Sequence, residues 1–324
     1  MPFDLPDRTR IEAAAAIVHA AMPPTPTHAW PLLAARAGAD IRVKHENHAP
    51  TGAFKVRGGL IHVGELRAAR PDCAGIVAAT RGNHGQSIAF AARAHGLAAT
   101  IVVPEGNSVE KNAAMQAFGA ELVVHGHDFQ AALEHAQALA ADRGLVMVPS
   151  FADTLVAGVA TYGMEMFAAA PDLDTLYVPI GLGSGIAGCI AAREALGLKT
   201  KIVGVVSANA PTYALSFAAG EPVPTDSADT MADGLACRVP VADAVAVINR
   251  WAERIVTVGD DAIRAAMRHY FTDTHNVAEG AGAAALAALL QERDAMAGRT
   301  VGVVLSGGNV DRGVYRAILA APVD

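Results

Sequence analysis

The chain has 324 residues, of which 52% are hydrophobic and 18% are charged. A chain of this length and composition can bury a large core, which excludes a disordered segment and a small disulfide-stapled domain. Its net charge of −7 provides no basic surface for nucleic acid or an anionic membrane, so we expect a small-molecule ligand.

The N-terminus and the cysteines indicate where the protein works. Asp4 and Asp7 stand where a signal peptide would carry a basic region ahead of an apolar core. Cys73, Cys189 and Cys237 are an odd number at no metal-binding spacing, which is typical of reduced thiols. The apolar runs are shorter than the roughly 18 residues of a membrane span. We expect a cytoplasmic protein with no membrane anchor.

Along the chain, short apolar runs rich in valine and isoleucine predict strands that are covered on both faces. A helix precedes them, with apolar residues at helical spacing at Ile11, Ala14, Ala15 and Val18. The predicted strands are Ile41–Lys44, Ile76–Ala79, Ile101–Val103, Leu122–Val124, Leu145–Val148, Leu176–Ile180, Ile202–Val206, Ile255–Val258 and Val301–Leu305.

Helical patterns between the strands define the fold class. The clearest pattern places apolar residues at i, i+3, i+4, i+7 and i+8, namely Ile263, Ala266, Met267, Tyr270 and Phe271. Strands that alternate with helices predict parallel sheets in an α/β protein, because each parallel crossover needs a connecting element. Periodicity alone leaves two arrangements open, a (β/α) barrel and open doubly wound sheets.

A glycine-rich turn after Leu176–Ile180 leads into a predicted helix. Glycines let backbone N–H groups approach an anion closely, and the helix N-terminus adds partial positive charge, so we expect an anion site. Gly183–Gly188 also fits the G-x-G-x-x-G dinucleotide motif, but Val206 and Ser207 stand where that motif has an acid. A tight turn without a ligand is the alternative. The residues of the turn are Gly181, Leu182, Gly183, Ser184 and Gly185.

Lys55 lies just inside the helix that follows a predicted turn at Pro50–Gly52. The positive potential of a helix N-terminus disfavours the charged ammonium, which lowers the pKa of a lysine toward that of a nucleophilic amine. The ordinary alternative is a solvated surface lysine.

Three separated motifs together resemble the fold-type II pyridoxal phosphate enzymes, in the serine/threonine dehydratase and serine racemase branch. This resemblance favours a nucleophilic Lys55 over a solvated surface lysine. The motifs are Glu46-Asn47 with Thr51–Gly58, Thr80–Gln86, and Ser306–Asp311, supported by Gly181–Gly185, Ala232–Ala236 and Glu279–Ala284. The resemblance spans nearly the whole chain, and its specificity comes from the order and context of the motifs.

The resemblance implies a role for each motif residue. Lys55 would hold the aldehyde of pyridoxal phosphate as an imine and remove the substrate α-proton, and Ser306 would face the pyridine nitrogen. The cofactor-binding residues would be Phe54, Lys55, Asn83, Gly181, Leu182, Gly183, Ser184, Gly185, Glu279, Ser306 and Gly307. The substrate-binding residues would be Thr80, Arg81, Gly82, Asn83, His84 and Gly234, with the amides of residues 82–85 holding the α-carboxylate.

Some of these residues leave alternatives open. Arg81 stands where racemases of the family carry a second catalytic serine, so we do not expect racemisation. It could bind an extra substrate carboxylate, stack on an aromatic substrate, or pair with Glu279 or another acid. Glu279 could contact the site or cap a helix, and His84 could make a hydrogen bond within its loop.

We expect no metal. The family's cation site would follow the strand in 203–212, where no carboxylate is present. His125, His127 and Asp128 are more typical of a solvated turn than of a metal site.

The sequence therefore predicts an α/β protein with two open-sheet domains and the cofactor between them. Residues 72–149 would form the small domain, and 1–71 with 150–324 the large one. The predicted function is dehydration and deamination of a 3-hydroxy-L-amino acid, serine-like, threonine-like, phenylserine or 3-hydroxyaspartate, by a homodimer. The alternatives are an NAD(P)-dependent oxidoreductase and a non-catalytic amino-acid-binding protein.

Overall fold

Two open parallel sheets organise the computed structural model, which describes residues 3–321. The strands are β1 (Thr27–His28), β2 (Asp40–His45), β3 (Gly75–Ala79), β4 (Ala98–Val103), β5 (Glu121–Val124), β6 (Val146–Met147), β7 (Thr175–Pro179), β8 (Lys201–Ser207), β9 (Arg254–Val258) and β10 (Thr300–Leu305). The helices are α1 (Arg8–Ala21), α2 (Pro31–Ala37), α3 (Lys55–Ala69), α4 (Asn83–Ala94), α5 (Val109–Ala117), α6 (Phe129–Arg143), α7 (Asp153–Ala169), α8 (Ser184–Ala195), α9 (Thr212–Ala219), α10 (Ala242–Trp251), α11 (Asp260–Thr274), α12 (Gly280–Gln291), α13 (Arg293–Met296) and α14 (Arg312–Ala320).

The larger sheet has six strands in the order β1-β2-β10-β7-β8-β9. All neighbours are parallel except the edge pair β1 and β2. Successive residues of a strand point to opposite faces, so Tyr177 packs in the core beneath α11 and α12 while Leu176 and Val178 pack against α7 and α8. Helices on both faces explain why these strands are apolar at every position.

The smaller sheet has four parallel strands in the order β5-β4-β3-β6. Its strands all lie within the range 72–149 that we predict for the small domain. One of its cores also takes in side chains from outside that range, because Val18 of α1 and Leu60 of α3 pack with Ile76 and Ile101. α1 and α3 therefore contribute side chains to this core, and the domain division itself stays a prediction.

The structure confirms the predicted fold class and each predicted strand, and the barrel alternative is wrong because both sheets are open. β1 was not predictable, since a two-residue edge strand in a proline-rich segment has no apolar pattern. The predicted apolar stripe of α11 is buried except at Phe271, which is 40% exposed and lies against Tyr315. Position i+8 is about 80° away from position i around a helix, at the edge of its buried face.

The carboxyl ends of the parallel strands bring the predicted motifs together. Ligands of open α/β sheets bind beyond those ends. Lys55 follows β2, Gly181–Gly185 follow β7 and Ser306 follows β10, and these three strands lie side by side with β10 in the middle. Within residues 3–321, no helix is long and apolar enough to cross a membrane.

Candidate active site

A cavity of about 430 Å³ lies where the loops of the two sheets meet. Every predicted cofactor or substrate residue lines it except Gly307, whose carbonyl oxygen accepts a hydrogen bond from the backbone N–H of Glu279 at 3.1 Å. The predicted lining residues are Phe54, Lys55, Thr80, Arg81, Gly82, Asn83, His84, Gly181, Leu182, Gly183, Ser184, Gly185, Gly234, Glu279 and Ser306.

Backbone contacts hold the Lys55 segment against the Ser306 segment. Ala53 and Gly307 form an isolated antiparallel bridge, and the Phe54 amide donates to the Ser306 carbonyl oxygen at 3.0 Å. The Asn309 side chain donates to the Thr51 carbonyl oxygen at 2.8 Å. These bonds fix the first residue of α3 beside the end of β10, although the two segments are far apart in sequence.

The amine of Lys55 points toward the glycine-rich turn. Its Nζ donates to Ser184 Oγ at 2.8 Å and lies 5.3 Å from the centre of the Phe54 ring. Burial lowers the pKa of Lys55 to about 8. The expected lowering therefore occurs, with burial as its cause, and a substantial fraction of the amine is neutral near physiological pH.

The glycine-rich turn needs glycine at two positions. Gly183 has a φ of +97° and precedes α8 directly, so its left-handed conformation starts the helix. A Cβ atom at Gly181 would lie 2.3 Å from the carbonyl oxygen of Gly234, which no side chain could tolerate. The turn thus exposes the amides at the start of α8 to the cavity, which is the arrangement of an anion site.

Residues 80–85 form the opposite wall at the start of α4. The Thr80 hydroxyl accepts hydrogen bonds from the backbone N–H groups of Gly82 at 2.9 Å and Gly85 at 3.3 Å. The amides of Asn83 and His84 lie in the first turn of α4 and have no partner within the helix. The Thr80 oxygen thus takes up the amides of Gly82 and Gly85, and the amides of Asn83 and His84 are left for a ligand.

His84 lies beneath this wall and is buried. Burial, together with the nearby charge of Lys55, lowers the pKa of His84 to about 3, so its ring is neutral. The ring makes no hydrogen bond to the residue 80–86 loop, which differs from the alternative that we considered.

A network of charged and polar side chains joins the two walls, and we call its members Lys111, Asp233, Glu279 and Asn83 the Lys111 cluster. Lys111 Nζ lies 2.6 Å from Asp233 Oδ2 and 3.1 Å from Glu279 Oε2. The Asn83 amide group donates to Glu279 Oε1 at 2.5 Å and accepts from Asn309 at 2.9 Å. The helix-cap alternative for Glu279 is wrong, because its side chain caps nothing and contacts the site instead.

The charges of this cluster depend on one another. Burial disfavours the ammonium of Lys111, but the carboxylates of Glu279 and Asp233 outweigh that effect and raise its pKa. Burial raises the pKa of Glu279. Lys111 lies on α5 and the two acids lie on segments of the larger sheet, so the cluster is an ionic contact between the two parts of the molecule.

The sequence gives no signal for Lys111. It stands alone on a short helix that follows β4, a position typical of a solvated lysine, yet it is only 5% exposed. A Cβ atom at Gly82 would lie 2.4 Å from Lys111 Cδ. The glycine therefore leaves room for the Lys111 side chain in its observed position. Only the fold, which brings Asp233 to a residue 122 positions earlier, reveals its role.

A second group of buried charges lies behind the cavity, and we call Arg57, Glu46, Glu165 and Lys44 the Arg57 cluster. Arg57 Nε donates to Glu46 Oε2 at 2.8 Å, and its Nη1 donates to Glu165 Oε1 at 2.6 Å. Lys44 Nζ donates to Glu165 Oε2 at 2.5 Å. Arg57 is two residues after Lys55, so this cluster anchors the first turn of α3 to α7 and to the end of β2.

Two of the residues considered for a metal site, Asp128 and His125, make other contacts. The Asp128 side chain accepts a hydrogen bond from the Ala131 amide at 2.9 Å and so caps α6. His125 stacks on His135 with a distance of 3.8 Å between ring centres. In the described part of the chain, no group of three potential metal-ligating side chains occurs.

The fold and site match known proteins. The sequence pattern of the pyridoxal-phosphate dependent enzymes covers residues 18–307, so the chain belongs to that family. The predicted family and cofactor are thereby confirmed, and the NAD(P)-dependent alternative is not supported. An L-threonine ammonia-lyase of Thermotoga maritima is 34% identical over 284 residues, which are 86% of this chain and 70% of that relative.

Two solved structures share the fold over nearly their whole length. A pyridoxal 5'-phosphate-dependent aspartate racemase has a TM-score of 0.90 at 29% identity, covering 96% of this chain and 98% of its own. Maize serine racemase has a TM-score of 0.90 at 27% identity, covering 97% of each chain. The shared fold thus includes racemases as well as ammonia-lyases.

The cavity fits pyridoxal phosphate on its own chemistry. A partly neutral amine is available on Lys55, amides at the start of α8 are available for a phosphate, and Phe54 provides an aromatic face beside the amine. Ser306, which lines the cavity, provides a hydroxyl that can donate to a ring nitrogen. The cavity therefore offers an amine for the aldehyde of the cofactor, backbone amides for its phosphate and a hydroxyl for its ring nitrogen.

Proposed function

We propose that the protein is a pyridoxal phosphate-dependent dehydratase, or ammonia-lyase, that converts a 3-hydroxy-L-amino acid to a 2-oxo acid and ammonia. The observation that carries this proposal is the Lys55 amine, held in the cavity 2.8 Å from Ser184 Oγ at the mouth of the glycine-rich turn. The similarity to L-threonine ammonia-lyases supports the reaction class.

Lys55 would act through its Nζ atom. With a pKa lowered to about 8, the amine can attack an aldehyde and can later accept a proton from the substrate α-carbon. Pyridoxal phosphate, when bound, supplies a sink for the electron pair left at that carbon. A hydroxyl such as Ser306 next to the ring nitrogen keeps the sink weaker than a carboxylate would, which suits elimination.

The N-terminal turn of α4 would bind the substrate carboxylate. The amides of Asn83 and His84 have no partner within the helix, whereas those of Gly82 and Gly85 donate to the Thr80 hydroxyl, and helix N-termini favour anions. This contact would orient the α-hydrogen toward Lys55. Loss of that proton and of the 3-hydroxyl group releases water, and hydrolysis of the resulting enamine consumes water and gives the 2-oxo acid and ammonia.

Elimination is favoured over racemisation because Arg81 stands opposite Lys55 in the family arrangement. Racemisation needs an acid that returns the proton from the second face, and a guanidinium stays protonated and cannot exchange one. We therefore expect lyase activity without substantial racemase activity, in contrast to the aspartate and serine racemases that share the fold.

A substrate panel tests the proposal. Purified protein loaded with pyridoxal phosphate is given serine, threonine, phenylserine or 3-hydroxyaspartate, and the 2-oxo acid and ammonia are measured and ranked by kcat/KM. Equal amounts of both products from at least one of them support the proposal. Cofactor binding without any product would favour the non-catalytic amino-acid-binding alternative, and reduction of NAD(P) would favour the oxidoreductase.

The same proposal includes a homodimer in the cytoplasm, with residues 72–149 as a small domain that closes over the substrate. The free state of Cys73, Cys189 and Cys237 supports a reducing compartment. Sedimentation equilibrium of the holoenzyme would measure the oligomeric state, and a monomer would contradict that part.

A further inference from the structure

The cavity holds more charged groups than the proposed reaction uses, and most of them neutralise each other. Lys111 is paired with Asp233 and Glu279. Arg238 pairs with Asp128 at 3.4 Å near the cavity entrance. These pairs account for Lys111, Asp233, Glu279, Arg238 and Asp128.

Arg81 is a lining cation that the proposed reaction does not use and that these pairs do not include. It lines the cavity and is partly buried, and in the described part of the chain its guanidinium has no hydrogen bond and no ion pair. Of the three alternatives for Arg81, the ion pair with Glu279 or another acid is therefore wrong, and the Glu279 carboxylate contacts Asn83 and Lys111 instead. A cation in a cavity that closes around its ligand requires a counter-charge, since desolvating it alone is costly.

The position of Arg81 in the chain indicates what that counter-charge is. Arg81 directly precedes the residue 82–85 amides that would hold the substrate α-carboxylate, and neighbouring Cα atoms are about 3.8 Å apart. An anion bound by Arg81 would therefore lie close to the first, as the second carboxylate of one small substrate does. The planar guanidinium binds a carboxylate through two parallel hydrogen bonds, which gives both energy and orientation.

We propose that Arg81 binds a second carboxylate on C3 of the substrate, so the preferred substrate class is the 3-hydroxy dicarboxylic amino acids, of which 3-hydroxyaspartate is the simplest. This inference rests on the proposed lyase function and selects among its substrates. A phenyl group in the same place would leave the guanidinium without a counter-ion and would gain only a weaker stacking contact.

Two acids at the rim offer the competing explanation. Asp226 and Asp229 line the entrance of the cavity and are exposed, with no hydrogen bond or ion pair to their carboxylates in the described chain. If closure of the cavity brought Arg81 to them, the arginine would act as a latch. Removal of the rim acids would then reproduce the effect of removing Arg81.

The test compares Arg81→Gln, Arg81→Lys, the double variant Asp226→Asn with Asp229→Asn, and the control Arg238→Gln, whose arginine is already paired. For each holoenzyme, kcat/KM is measured with 3-hydroxyaspartate, serine and threonine. The inhibition constant is measured for aspartate, which keeps both carboxylates but has no hydroxyl to lose, and for alanine. Visible absorbance checks that every variant retains the cofactor.

We expect wild-type enzyme to prefer 3-hydroxyaspartate. Arg81→Gln should lower kcat/KM for it roughly 10- to 100-fold and weaken aspartate inhibition similarly, the loss typical of a hydrogen bond to a charged group. Serine, threonine and alanine should change less than about threefold, Arg81→Lys should recover part of the loss, and the rim and Arg238 variants should keep the substrate ranking.

Equal losses for all substrates in Arg81→Gln, or a rim variant that reproduces its effect, would overturn the inference while leaving the lyase function in place. Turnover of serine or threonine without turnover of 3-hydroxyaspartate would also overturn the inference and leave the lyase function in place. Failure of the proposed function gives a different result, since no hydroxy amino acid would then release ammonia from cofactor-loaded protein.

Discussion

The Arg57 cluster and the Lys111 cluster are built from the same kinds of side chain but differ in what they join. The Arg57 cluster lies behind the cavity and anchors the start of α3 to α7 and the end of β2. The Lys111 cluster spans the cavity and joins α5, on the side of the smaller sheet, to residues of the larger one. A buried ion pair within one body supports the fold, whereas one that crosses a cleft sets the geometry of the site.

The largest effect is expected at Lys55, whose amine lies in the cavity beside Ser184. Lys55→Ala removes the amine that would hold the cofactor and move the proton, so kcat should fall by at least about 10³-fold, measured as 2-oxo acid release. The control is Lys199→Ala, at an exposed lysine, which should keep full activity. Activity near the wild-type level in Lys55→Ala would show that the chemistry is performed elsewhere.

The Arg57 cluster should matter most for stability. Arg57→Met leaves the buried carboxylates of Glu46 and Glu165 without their partner, and losing one member of a buried ion pair costs about 3–5 kcal/mol. Urea unfolding of the apoprotein measures this change in the free energy of unfolding. The matched control, Arg8→Ala, breaks an exposed pair with Glu12 and should cost less than about 1 kcal/mol. Similar values for both variants would contradict the contrast between the clusters' roles.

The Lys111 cluster should matter more for activity than for folding. Lys111→Met removes the ion pair that holds the Glu279 carboxylate, to which the Asn83 side chain donates a hydrogen bond. We therefore expect kcat/KM to fall roughly 10- to 100-fold, with partial recovery in Lys111→Arg. The readouts are the split between kcat and KM and the visible spectrum of the bound cofactor. A variant that only lowers the melting temperature, with kinetics and spectrum unchanged, would assign Lys111 a structural role alone.

The smallest effect concerns acid stability. Burial opposes the charge of Glu165, but Arg57 and Lys44 outweigh it and lower the pKa of Glu165 to about 2. Its stabilising contribution is therefore fully present above the ordinary carboxyl pKa of about 4.5 and is lost as the pH falls toward 2. Urea unfolding should show that the difference in unfolding free energy between wild type and Glu165→Gln becomes smaller as the pH falls over that range. A difference that does not change with pH would contradict the lowered pKa of Glu165.

Much of this architecture is predictable because it depends on local patterns. Alternating strands and helices predict parallel sheets, and the resemblance to the fold-type II enzymes implies both the open form of the sheets and a shared site for the segments around Lys55, Asn83, Gly183 and Ser306. Lys55, Ser306 and Gly183 follow the adjacent strands β2, β10 and β7, whose carboxyl ends lie together, whereas Asn83 follows β3 of the smaller sheet.

The parts that could not be predicted depend on contacts between distant segments. Lys111 reads as a solvated lysine until the fold brings Asp233 and Glu279 to it. The alternative that Arg81 pairs with Glu279 fails for a similar reason, since that carboxylate contacts Asn83 and Lys111 instead, which the sequence does not indicate. Local spacing thus identifies the groups that act, but not which charges remain free to meet a substrate.

The most direct test of the central claim is to reduce the cofactor-loaded protein with borohydride, digest it, and locate the phosphopyridoxyl group by mass spectrometry. The peptide that contains Lys55 should carry the group, and loading in the presence of excess inorganic phosphate should reduce its yield if the glycine-rich turn binds the phosphate. A label on another lysine, or no stable label at all, would contradict the account.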